Sequence, residues 1–97
     1  MVDYVFLMHD DAVAESAHSW DDYLQKLKDI GSFEGGSEIG DGICIRRNGA
    51  VPSLTTHLVG YIRVNASDIT HAQLLLAGNP HFEAGGTVEI RELPRSE

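Results

Sequence analysis

The chain has 97 residues, 42% of them apolar and 23% charged, and a formal net charge of −8 with its five histidines neutral. That length suits one domain spanning residues 1–97, and the composition is too apolar for a disordered chain. The acidity disfavours a surface made for nucleic-acid phosphates or anionic membranes.

The seven basic residues are scattered, and Arg46-Arg47 is the only adjacent pair. No apolar stretch approaches the roughly 20 residues that a bilayer span needs. Met1 leads straight into strand-like residues with no basic-then-apolar leader, so a cytoplasmic location is the expectation. The lone cysteine, Cys44, suits a reducing compartment.

Val2 to Met8 is almost continuously apolar, which predicts a strand buried on both faces. A helix follows, capped by Ser16 or Ser19, with Asp21 and Asp22 at its positive end. Trp20, Tyr23, Leu24, Leu27 and Ile30 share one helical face. Gly31 is a natural stop. Ile43-Cys44-Ile45-Arg46 reads as the second strand, with Cys44 a buried, inert thiol. Asn48-Gly49 is a turn signal. Thr55 to Val64 reads as the third strand.

Asp68 lies in a capping segment for a second helix, whose buried stripe is Ile69, Ala72, Leu75 and Leu76. Gly78-Asn79-Pro80 ends that helix. Thr87 to Leu93 alternates as a strand with one wet face. The order strand, helix, strand, strand, helix, strand predicts an α+β, ferredoxin-like βαββαβ domain. Two helices would cover one face of a four-stranded antiparallel sheet. The other face needs a cover, and a second copy would supply it, giving a homodimer.

Several short runs in the last third carry a resemblance. They are Gly60-Tyr61-Ile62, Asn65-Ala66-Ser67-Asp68-Ile69, Asn79-Pro80-His81-Phe82, Gly85-Gly86 and Val88-Glu89-Ile90-Arg91. In this order and spacing they resemble the YCII-related family, near its DGPF-domain branch. The resemblance implies a dimeric ferredoxin-like α/β barrel with a cleft beside the helices. It implies histidines placed for chemistry, His18 at the first helix and His81 after the proline. Asn79 stands where many members have aspartate and cannot ionise. The DGPF motif is replaced by Pro52-Ser53-Leu54-Thr55-Thr56.

His18 and His81 are accordingly the candidate catalytic residues, since imidazole exchanges protons near neutral pH. Asp10, Asn79 and Tyr61 are the candidate ligand-binding residues, and Asp10, Asp11 and Glu83 are candidate orienting carboxylates. His57 on a strand and His71 on a helix exterior read as structural or solvated, and His9 as a possible flank of the cleft. No metal site is expected, because His18 with Asp21 or Asp22 and His81-x-Glu83 are chance spacings. No cofactor is expected, because glycine-rich phosphate motifs are missing. The readings that remain are a small enzyme acting on a small organic molecule, a non-catalytic metabolite-binding or protein-interaction module, and a purely structural dimer.

Overall fold

In the computed structural model, which describes residues 1–95, strand β1 (Val2–His9) buries every second side chain. Tyr4, Phe6 and Met8 point to one face, and Val5, Leu7 and His9 to the other. The expected burial on both faces is corrected. The second face is only partly covered, because the helices pack on the first alone.

Strand β1 is central in an antiparallel sheet ordered β2-β3-β1-β4, with β2 at Phe33–Glu38, β3 at Leu58–Ala66 and β4 at Val88–Glu92. Phe6 lies between Ile62 and Ile90 in register, and Tyr4 beside Val64. These side chains form the floor of one core.

Helix α1 (Trp20–Asp29) starts at Ser19, whose Oγ accepts the Asp22 backbone N–H at 3.3 Å. Its Tyr23 and Leu27 close over Phe6 and Val64. Helix α2 (Ile69–Leu74) starts at Asp68, whose Oδ1 accepts the His71 backbone N–H at 2.8 Å. Ala72 from α2 and the following Leu75 and Leu76 complete the core. Trp20, Ile30 and Ile69, expected in the buried stripes, are largely exposed. They sit at helix ends, beyond the side chains that meet the sheet. A further short helix, α3 (Pro80–Glu83), was not expected. Asn79 caps it and Pro80 takes the first turn, where a missing N–H costs nothing.

The second strand is corrected most. Residues 43–46 lie in no strand, and Ile43 and Ile45 are 79% and 85% exposed. Cys44 is partly exposed rather than buried. Phe33–Glu38 pairs with β3 instead. Glycine permits it: Gly35 holds φ +135°, and a Cβ on Gly36 would stand 2.7 Å from the Tyr61 carbonyl oxygen. Strand β3 begins at Leu58, so Thr55, Thr56 and His57 precede it.

Tyr23 donates its hydroxyl to the Leu75 carbonyl at 2.8 Å, tying α1 to the end of α2. Burial pushes its phenol from the ordinary 10.0 up to about 12, although the Asn79 side chain acts in the opposite direction. A raised phenol favours the folded state below the unfolded value, and that advantage is lost as pH rises through the folded one. Wild-type stability should therefore fall between about pH 10 and 12, by at most about 2–3 kcal/mol from this group. Urea melts of Tyr23→Phe should lack that increment of alkaline loss. They should also show a constant penalty of about 1–2 kcal/mol for the missing hydrogen bond.

Candidate functional site

A cleft of about 540 Å³ opens between the first half of α1 and the β1–β3–β2 surface. Met8, Leu24, Phe33 and Ile62 give it an apolar lining, with Trp20 and His81 at its wall. Gly36 and Gly60 also line it, so the strands bring backbone rather than side chains to part of the surface. Glu38, at the end of β2, supplies a carboxylate, and neither lysine nor arginine lines the cleft. A shallower depression of about 390 Å³ shares the Trp20–His81 wall and includes His18 and Glu15.

His81 is held from behind. Its Nε2 lies 3.2 Å from the Thr87 carbonyl oxygen and 3.8 Å from Asp11 Oδ1, and its side chain is 9% exposed. A carbonyl oxygen only accepts, so Nε2 carries a proton, and in the neutral ring Nδ1 holds the lone pair. Among the described residues, Nδ1 has no hydrogen-bond partner. Asp11 fixes the other side of Thr87: Oδ1 accepts its backbone N–H at 2.7 Å, and Oδ2 accepts its hydroxyl. Thr87 thus holds Asp11 and His81 together at the start of β4.

Those two Thr87 hydrogen bonds, then the nearby imidazoles of His81 and His9, hold the Asp11 carboxyl below its ordinary value against its partial desolvation. A lowered carboxyl contributes stability above its unfolded pKa, and that contribution is lost as pH falls through the folded value. Asp11→Asn should therefore flatten the acid limb of a melting-temperature profile below about pH 4. The same variant should shift the His81 ring resonances, because Thr87 is released.

His18 is exposed, one residue ahead of the Ser19 cap, and its backbone N–H donates to Ser16 Oγ at 3.0 Å. It borders the shallow depression together with His81. Tyr61 pairs with Leu7, so its side chain lies on the other sheet face and only its strand backbone borders the main cleft. Asp10 borders neither; its backbone N–H donates to the His57 carbonyl at 2.7 Å. Asn79 is 0% exposed, and its Oδ1 accepts the Phe82 backbone N–H at 3.0 Å. It acts as the cap that sets the helix carrying His81. Glu83 accepts the Gly78 backbone N–H at 3.1 Å and lines neither cavity.

His9 projects from the opposite sheet face. Its Nε2 meets Glu89 Oε1 at 3.0 Å, and its ring packs edge-on to His57 at 5.0 Å. His71 Nδ1 accepts the Ser67 backbone N–H at 3.0 Å, a local cap. No metal-ligating group of three or more His, Cys, Asp or Glu side chains is found among the described residues. None of the helices among them is long and apolar enough to cross a membrane.

Sequence reasoning missed Glu38 and the Thr87 clamp. Glu38 was hidden because β2 was placed elsewhere. One signal for the clamp was present: Gly85-Gly86 beside His81, at a point where a Cβ on Gly86 would overlap the His81 ring. No family model matches the chain, and no curated protein matches it significantly.

Proposed function

We propose that this chain is a ferredoxin-like protein of the YCII-related kind, working as a homodimer, that binds a small organic molecule beside α1. The observation that carries the reading is His81: a shielded imidazole with Nε2–H committed to Thr87, bordering an apolar cleft that also bears Glu38. The ligand is largely apolar, and neutral or cationic. An anion would meet the Glu38 carboxylate, and neither lysine nor arginine lines the cleft to offset it.

In this reading Nδ1 of His81 takes a proton from the bound molecule and returns it at another position. The imidazolium formed on the way is stabilised by the Thr87 carbonyl and by the Asp11 carboxylate 3.8 Å away. Glu38 attracts the electropositive end of the ligand. His18 sits across the Trp20–His81 wall and exchanges protons with solvent. Asn79 and Pro80 keep His81 in place through the helix they start, and Tyr61 contributes only backbone to the binding surface.

The strand order β2-β3-β1-β4 and the two helices on one face support the ferredoxin-like reading. The half-covered Val5, Leu7 and Tyr61 on the other face support the dimer. The residues that resemble YCII proteins support the family.

A thermal-shift screen with neutral, cationic and carboxylated aromatic compounds tests the ligand class. Neutral or cationic members should raise the melting temperature, and Glu38→Gln should remove the preference for cations. Preferential stabilisation by carboxylates would overturn it. With a converted compound in hand, His81→Ala should lower turnover about 10²–10⁴-fold. Full turnover in that variant, with binding retained, would leave a binding module without proton chemistry.

A further inference from the structure

Residues 39–57 connect β2 to β3 without forming helix or strand. Both ends are fastened: the Ile39 backbone N–H donates to the Val59 carbonyl, and the His57 carbonyl accepts the Asp10 N–H. Between them, among the described residues, no backbone hydrogen bond joins residues 40–56 to the rest of the chain. This arm carries Asn48-Gly49, a hairpin signal that the fold leaves unused. A type I′ hairpin turn needs positive φ at both central residues. Gly49 has φ +83°, but among the described residues only glycines have positive φ, so Asn48 does not complete such a turn.

The chain has three asparagines, and their chemical settings differ. An asparagine loses ammonia when the backbone nitrogen of the next residue bonds to its Cγ. Asn79 is followed by Pro80, whose nitrogen has no proton to give up. Asn65 is followed by buried Ala66 within β3, and its Nδ2 donates to the Gly31 carbonyl and to Glu34. Asn48 is exposed. Among the described residues, neither its side chain nor the Gly49 N–H has a hydrogen-bond partner. The nearest tie, from Arg46 Nη1 to the Ala50 carbonyl at 3.2 Å, leaves that N–H free. Gly49 has no Cβ to crowd the approach to Asn48 Cγ.

We propose that Asn48 is a site of spontaneous deamidation, through a cyclic imide closed by the Gly49 nitrogen. That nitrogen gives its proton to solvent hydroxide and bonds to Asn48 Cγ. The Cγ–Nδ2 bond breaks, and Nδ2 takes a proton from water and leaves as ammonia. Water then cleaves either imide C–N bond. Cleavage at Cγ gives aspartate, and cleavage at the main-chain carbonyl gives isoaspartate. The arm has Arg46 and Arg47 against Asp41 alone, so the new carboxylate cancels its excess positive charge. The inference depends on neither the ligand reading nor the dimer.

Incubation of the full chain at mildly alkaline pH, followed by ion-exchange chromatography and peptide mapping, tests it. An acidic form should accumulate, with the change confined to the peptide holding Asn48 and present as both aspartate and isoaspartate. Its formation should quicken as pH rises, because the Gly49 N–H must ionise. Gly49→Ala should slow it at least about tenfold, since a Cβ crowds the nitrogen and resists positive φ. Asn48→Gln should abolish it, because the longer side chain must close a larger ring. Circular dichroism of both variants should match wild type, since the arm lies outside the core. A synthetic peptide spanning Ile45–Val51 gives the unrestrained rate. An intact Asn48 after that peptide has been converted would overturn the proposal. So would conversion at Asn65 or Asn79 instead, aspartate as the sole product, or a Gly49→Ala rate equal to wild type.

Discussion

Phe6→Ala is expected to remove about 3–5 kcal/mol of stability, because Phe6 is fully buried where the sheet and helices meet. It lies between Ile62 and Ile90 in register, under Leu27 and Tyr23. Truncation to Ala leaves a cavity bounded by rigid strands on both sides, which cannot close around it. A whole domain of this size is stable by only about 5–15 kcal/mol, so the variant should sit near the edge of folding at 37 °C. Denaturant titration of wild type and variant measures the difference. A loss under about 1 kcal/mol would show that the ring is not at the centre of the core.

Gly86→Ala should have the largest effect on the candidate site. The added methyl would lie 2.2 Å from His81 Nε2, and within 2.6 Å of two further ring atoms. The ring must leave its position, and the bond to the Thr87 carbonyl goes with it. Overpacking of this kind costs about 1–3 kcal/mol. The sharper readout is ¹⁵N–¹H correlation of the histidine rings. In the wild type His81 should appear as the Nε2–H tautomer; in the variant it should resemble a solvated histidine, and ligand stabilisation should disappear. Gly40→Ala is the control, because a Cβ there meets nothing within 4 Å. Equal spectra for Gly86→Ala and wild type would remove the clamp from the account.

Local signals located the helices well. The Ser19 and Asp68 caps act within four residues, so their effect is written in the neighbouring sequence. Tyr23 and Leu27 are one turn apart, and that spacing alone puts them on one face. Strand β2 failed the same reasoning for a physical reason. Phe33-Glu34-Gly35-Gly36-Ser37-Glu38 has poor strand propensity, and its pairing depends on glycines fitting closely against β3. Ile43-Cys44-Ile45-Arg46 has the propensity but no neighbouring strand. Propensity describes a residue's fit to a pleated surface, and a strand also needs a partner.

The site divides the same way. His81 stood out through the resemblance to YCII-related proteins, in which a histidine follows the proline. Its tautomer was not readable, because Thr87 and Asp11 reach it only when β4 lies beside β1. The choice of Asp11 over Asp10 depends on which side chain the end of β1 turns toward β4. Asn79, read as a ligand contact, also gives its Oδ1 to a cap that exists only because α3 forms.

What the amino-acid order determined by itself is the alternation of elements, the short segments that hold both main caps, and the acidic surface, since these depend on spacing and composition. Which segment became the second strand, which carboxylate faced His81, and that Ile43 and Ile45 stand in solvent were decided by tertiary structure. Those outcomes depend on contacts between residues tens of positions apart, and no local pattern encodes them.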